Sequence, residues 1–410
     1  MNFEHRFQPY PTESNFSSPS FNFIMRHLFS ALAFFCILGS FTAAAKPLDR
    51  VEAVAVTSPA GGVRLNGTLR LPVGPGPFPA AVLLPERGTD SRNSASADYQ
   101  LLSTLADYLV SQGVAVLRLN NRGQGGSEGS ANTATLAERS ADAIAALNYL
   151  RTRPQLDATR LGLIGHGEGG NVALLAGSQP LAPNFVVALA AAGLSGKELL
   201  ASQPAMYGKV LGQDSTDAQR QRKYRLDLLA AEQEAAKMRT RGSNAAQVQT
   251  YLDQQRLRQK AAMRRDEENL VKHQRAMLEI VRQTPDNSQA QAILGNMLRQ
   301  RYPSIAPADL QASVTLLTSP AYRSYLAFDP QASLPQVQCP VLLLQGEDDA
   351  EMDAVQNLNL LKKGLRNNPK VSELRLPGLT HALQLSKAEA PAPYSPDAQA
   401  DIRAWIMNQN

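Results

Sequence analysis

The sequence predicts an α/β protein: a doubly wound, mostly parallel sheet with a helical insertion. Three observations predict it. From Pro79 onward, short apolar segments alternate with segments of helical period, the pattern of a parallel sheet covered on both faces. The alternation stops after Ala190 and resumes at Val341. Between the two halves, residues 217–303 show helical spacing and no strand pattern.

The elements follow in order. Val51–Thr57 and Val63–Leu71 alternate apolar and polar residues around Gly61-Gly62, which reads as a hairpin. Pro79–Leu84 is a short buried strand. Tyr99–Gln112 has helical periodicity and ends at Gly113. Val114–Leu119 is the next buried strand. Thr135–Arg153 is a helix, with Leu136, Ile144, Leu147 and Leu150 spaced for one face. Leu161–Ile164 is a strand, Gly169–Ser178 a helix and Phe185–Ala190 a strand. After the break come Val341–Gln345 (strand), Asp353–Leu365 (helix), Ser372–Leu376 (strand) and Pro396–Met407 (helix).

Residues 217–303 hold 17 Lys+Arg and 10 Asp+Glu, a net of +7. Leu270, Gln274, Met277 and Val281 follow helical spacing there. The stretch reads as the core of a mainly helical lid or cap within residues 191–336. Its basic residues are interleaved with Gln, Ala and acidic residues, so a solvated face is expected rather than a nucleic-acid surface.

The chain has 410 residues, 43% hydrophobic and 19% charged, with a formal charge of +5. This accommodates one large domain with an insertion, and excludes disordered, collagen-like and small disulfide-scaffold classes. The two cysteines are Cys36 and Cys339. Cys36 falls in an apolar run, residues 28–41, that follows Arg26 and precedes Ala43, Ala44 and Ala45. A positive start, a short apolar centre and small residues at the exit describe a secretory signal peptide. The run is shorter than the about 20 residues of a membrane span. The expectation is an N-terminal extension and signal peptide over 1–45, a main domain over 46–408, and an exported chain with no membrane span after processing. Met25 is an alternative start to Met1.

Residues 161–170 read Leu-Gly-Leu-Ile-Gly-His-Gly-Glu-Gly-Gly, a strand, a sharp turn and a helix. This frame resembles the α/β-hydrolase family, and most closely its secreted bacterial esterase-like and serine-aminopeptidase-like members. Arg118–Gly129, Ala141–Pro154, Pro340–Asp349 and Leu376–Gln384 are similar to further family segments, in family order. The resemblance implies a carboxylic ester hydrolase type, with ester, thioester or amide substrates. It places the nucleophile at residue 167, the acid at Asp349 and the base at His381. Asp348 is an alternative acid and Glu347 a weaker one. It also implies an oxyanion donor at the backbone N–H of Glu168, and a second from the loop that holds Glu86, Arg87 and Gly88.

The chain departs from the family at the centre. Residue 167 is Gly where the family has Ser, so it has no atom to attack a carbonyl. Glu86 and Arg87 also depart from the Gly-Ser-Gly type of the donor loop; a Glu86 carboxylate turned inward would oppose a developing oxyanion, and one turned to solvent would not. Asn120 and Asn121 stand where an Asp is common. Ser127 and Cys339 are weak alternative nucleophiles. His166 belongs to the turn and His273 to the insertion. No metal-ligand or phosphate-loop motif is present, and no cofactor is expected. The leading expectation is a hydrolase-type protein, impaired in catalysis, that binds a small acyl-type ligand. The alternatives are weak turnover by His381-activated water, and a non-catalytic envelope binding protein using the cleft or the insertion.

Overall fold

The computed structural model describes residues 49–86, 97–203, 216–388 and 394–409. The signal peptide expected over 1–45 lies outside the described residues, as do Arg87 and Gly88.

Strands β1 (Asp49–Thr57) and β2 (Arg64–Pro72) form the expected hairpin, paired from Asp49↔Pro72 to Thr57↔Arg64. Gly61 and Gly62 make its turn at φ of 79° and 66°, a region that glycine enters without strain. Then follow β3 (Phe78–Leu84), α1 (Ala97–Ser111), β4 (Ala115–Leu119), α2 (Leu136–Arg151), β5 (Leu156–His166), α3 (Glu168–Gly177) and β6 (Phe185–Leu189). Helix α2 starts where it does because Thr135 and Glu138 close a capping box.

Between β6 and β7 the described residues are mainly helical: α4 (Gly196–Ser202), α5 (Thr216–Thr240), α6 (Ala245–Gln283), α7 (Asn287–Arg301), α8 (Pro307–Leu317) and α9 (Pro320–Ala327). The chain ends with β7 (Val341–Gly346), α10 (Ala354–Gly364), β8 (Val371–Leu376) and α11 (Pro396–Met407). The eight strands lie in the order β1-β2-β4-β3-β5-β6-β7-β8. β2 is antiparallel to both its neighbours, and every pairing from β4 to β8 is parallel.

Strand alternation divides the core between the two faces of the sheet. Leu163, Val186 and Leu343 pack with Leu147 and Leu150 of α2 and Val172 of α3. The residues beside them, Ile164, Val187 and Leu342, pack on the other face with Leu105 of α1 and Ile402 of α11. Each such Leu or Ile contributes about 1.5–3 kcal/mol by leaving water. A slip of one residue would exchange the two faces, and burial on both sides therefore fixes the register.

Two boundaries differ from the expectation. β5 begins at Leu156, not Leu161, because Leu156 still pairs with Phe78; the polar Asp157–Arg160 stretch that follows spans a register shift and carries no hydrophobic alternation. Helix also continues past residue 303 to Ala327, in segments too short to show a long apolar stripe. Helices α6–α9 have a core of their own, including Met277, Val281, Leu294, Leu298, Val314 and Leu317. In α6 the spaced set Leu270, Gln274, Met277 and Val281 is buried. No helix among the described residues is long and apolar enough to cross a membrane.

Candidate functional site

The site lies at the C-terminal ends of β3, β5, β7 and β8. β5 ends at His166, and α3 begins two residues later. Gly167 makes the turn at φ 52° and ψ −119°, where a side chain is strained. The turn is this tight because helix and strand nearly touch. A Cβ on Gly165 would lie 2.1 Å from Gly169 O, so only glycine fits there.

A Cβ on Gly167 would lie 3.0 Å from both Cδ and Oε1 of Glu86. Glu86 follows Pro85 directly after β3 and aims its carboxyl group at the turn. The sequence left its direction open. Glu168 is buried and ion-paired with Arg139 of α2, which also donates from Nη2 to Pro85 O at 2.6 Å. One guanidinium thereby ties the turn to the end of β3.

Asp349 lies in the turn after β7, with a fully buried side chain. His381 lies in the loop after β8 and donates from Nδ1 to Asp349 Oδ2 at 2.8 Å. The carboxylate also accepts from the N–H of Glu351 at 2.7 Å, the N–H of Met352 at 3.1 Å and Gln345 Nε2 at 3.1 Å. Asn357 of α10 in turn holds Gln345, donating to its Oε1 at 2.8 Å. Burial opposes the Asp349 charge, but the bond and charge of His381 and the other donors outweigh it and hold the carboxyl below its ordinary range.

For His381, too, burial opposes the charge. The Asp349 bond and the charges of Glu351, Asp349 and Glu86 prevail, and the imidazole is pushed up to about 9. Its Nε2 is buried with no hydrogen-bond partner, and Glu351 Oε2 stands 3.7 Å away. His166 Nε2 donates to His381 O at 3.0 Å, and the two ring centroids lie 4.8 Å apart.

Thus Gly167, Asp349, His381, Glu86 and Glu168 come together. Among the described residues, the alternative acids and nucleophiles do not join them. Asp348 binds Ser386 Oγ, and Glu347 faces Arg375 at 3.7 Å. Ser127 Oγ accepts from Asn66 N at 2.9 Å and donates to Asn120 O at 3.2 Å, which gives it a structural role in its loop. Asn120 donates to Gly125 O at 2.8 Å within the same loop. Burial pushes the Cys339 thiol up to about 11, out of the nucleophilic range at neutral pH. His273 lies on α6.

Sequence reasoning missed Glu351, the His166 contact with the His381 loop, and the Arg139 tie. No local spacing marks any of them. Glu86, His166 and His381 also each bring a possible ligand atom within 4.8 Å of the others, which no sequence motif announced. A separate cleft lined by Leu65, Val82, Leu84, Pro85, Asn120 and Arg139 flanks the ends of β3 and β4, and Gly167, Asp349 and His381 do not line it.

A model of the alpha/beta hydrolase family matches residues 81–394, which contain the whole constellation. The chain belongs to the alpha/beta hydrolase family. An esterase from Pyrococcus furiosus is 14% identical in sequence, covers 88% of this chain and 91% of its own, and superposes with a TM-score of 0.50. An alpha/beta hydrolase from a Penicillium species is 15% identical, with 88% and 98% covered and a TM-score of 0.48. At these identities the first likeness concerns the fold alone. No curated protein matches the chain.

Proposed function

We propose that this alpha/beta hydrolase is of the carboxylic ester hydrolase type, taking small ester, thioester or amide ligands, and that it has lost serine-type catalysis. The observation that carries the reading is at residue 167, where no side chain exists and Glu86 stands 3.0 Å from the point where one would begin. Without a hydroxyl at the turn, no acyl-enzyme can form there. Asp349 and His381 keep the pairing that orients a catalytic imidazole, at 2.8 Å, but have no nucleophile to serve.

The reading in which His381 alone activates water is weaker. An imidazole that stays charged up to about pH 9 accepts no proton at neutral pH. A role for the insertion in partner binding rests on charge counts alone and has no site behind it. Export rests on the pattern of residues 26–45, and an intact mass starting near Lys46 for protein recovered outside the cytoplasm would support it.

The test compares the chain with Gly167→Ser. Burst release from 4-nitrophenyl acetate and covalent labelling by an alkyl fluorophosphonate are expected only in Gly167→Ser, and to rise as the pH approaches 9 and His381 can accept the serine proton. A phosphonate adduct on any side chain of the unsubstituted protein, found by mass spectrometry, would overturn the reading.

A further inference from the structure

Among the described residues, Glu86, His166 and His381 are the one group of three whose possible metal-ligand atoms all lie within 4.8 Å of one another. Glu86 follows β3, His166 ends β5 and His381 follows β8. Three atoms so spaced share a point no more than about 2.8 Å from each. A zinc ion sits about 2.0–2.2 Å from imidazole nitrogen and carboxylate oxygen, so each side chain would close in by less than about 1 Å. An ion at that range needs no water-sized hole between its ligands.

A second, independent observation points to a ligand. His381 Nε2 is buried and has no hydrogen-bond partner, which is rare for a polar atom out of water. The other ring nitrogen, Nδ1, is held by Asp349 at 2.8 Å. A histidine that binds a metal ordinarily has such an outer carboxylate, which fixes the ring and leaves the opposite nitrogen to coordinate. The His166 ring is fixed as well, through the 3.0 Å bond between its Nε2 and His381 O. Glu86 makes a further interaction of its own, as ligating carboxylates commonly do.

We propose that Glu86, His166 and His381 form a binding site for a divalent transition-metal ion, zinc by its donor set. Two imidazole nitrogens and one carboxylate oxygen suit zinc, whereas magnesium and calcium take oxygen ligands. Glu351 Oε2, 3.7 Å from His381 Nε2, adds negative charge beside the ion. Gly167 belongs to the same device, because a Cβ there would meet Cδ and Oε1 of Glu86 at 3.0 Å and crowd the ligating carboxyl group. The ion takes the place of a proton at His381 Nε2, since only neutral imidazole coordinates. Three protein ligands leave the fourth position of a tetrahedral ion for a water or the oxygen of a bound ligand. The proposal goes beyond the ester-type reading and does not depend on it.

The experiment strips the full chain with EDTA and titrates it with zinc chloride in a calorimeter. One zinc per chain is expected, with a Kd at or below about 1 μM that excess magnesium does not raise. Glu86→Gln should weaken binding at least about 100-fold, and Asp349→Asn, acting through the His381 ring, by about 10–100-fold. Cys339→Ser and His273→Gln should bind as the unsubstituted chain does. X-ray absorption at the zinc edge should show two imidazoles and no sulfur. That spectrum needs no variant, so it decides the matter even where a variant fails to fold. The absence of stoichiometric zinc binding, a sulfur ligand, or unchanged affinity in folded Glu86→Gln would overturn the proposal. The ester-type reading has its own test in the Gly167→Ser burst, and either can fail alone.

Discussion

The carboxyl group of Glu86 occupies the approach to residue 167, with Cδ and Oε1 each 3.0 Å from a Cβ built on Gly167. Real Cβ contacts are rarely so short. The glycine and the glutamate are therefore matched: the carboxyl group takes the room that a side chain at 167 would need.

Gly167→Ser should lose stability twice over. Its φ of 52° is strained for any side chain, at about 1–3 kcal/mol, and the new Cβ crowds Glu86. Glu86→Ala removes only the crowding. Urea unfolding of both single variants and the double should show the double more stable than the sum of the singles predicts. Strict additivity would mean that the carboxyl group swings aside freely.

His381 makes stability depend on pH in a known direction. Its folded value of about 9 lies above the ordinary 6.5, so its contribution is full below about 6.5 and is lost as the pH rises through 9. The contribution is on the order of 3 kcal/mol. The stability advantage of the wild type over His381→Gln, measured by denaturant melts, should be larger at pH 6 than at pH 10. Asp349 has the opposite sign: held low in the folded state, it loses its contribution as the pH falls.

Arg139 should be far costlier to remove than a surface arginine. Its partner Glu168 has a side chain only 4% exposed, and Arg139→Met takes the guanidinium away from that buried charge. The expected loss is about 3–5 kcal/mol. Arg139→Met combined with Glu168→Gln should recover much of it, which a double-mutant cycle by thermal or urea unfolding would measure. Loss below 1 kcal/mol in the single variant would show that the pair is not needed.

Gly165→Ala adds one methyl group where Gly169 O is 2.1 Å away. Neither backbone can move without separating α3 from β5. The expected cost is about 1–3 kcal/mol or more, read as a lowered Tm. Gly61→Ala, in an open turn with nothing within 4 Å, has only its positive φ to oppose it and should cost less.

The sequence by itself determined the layered fold. Alternation along Val186–Val187 and Leu342–Leu343, the capping residue Thr135 and the glycine-rich turn at 165–170 act over a few residues, and they define strands, helix starts and the elbow locally. Resemblance to family segments also singled out Asp349 and His381, which the structure pairs at 2.8 Å. Only the tertiary structure decided what surrounds them. Glu86, His166, Glu351 and His381 sit at the ends of β3, β5, β7 and β8, and the His166–His381 contact joins residues 215 apart in the chain. Strand order β3-β5-β6-β7-β8 brings these ends to one edge of the sheet. Side-chain direction there depends on packing between distant segments, so no spacing along the chain encodes it.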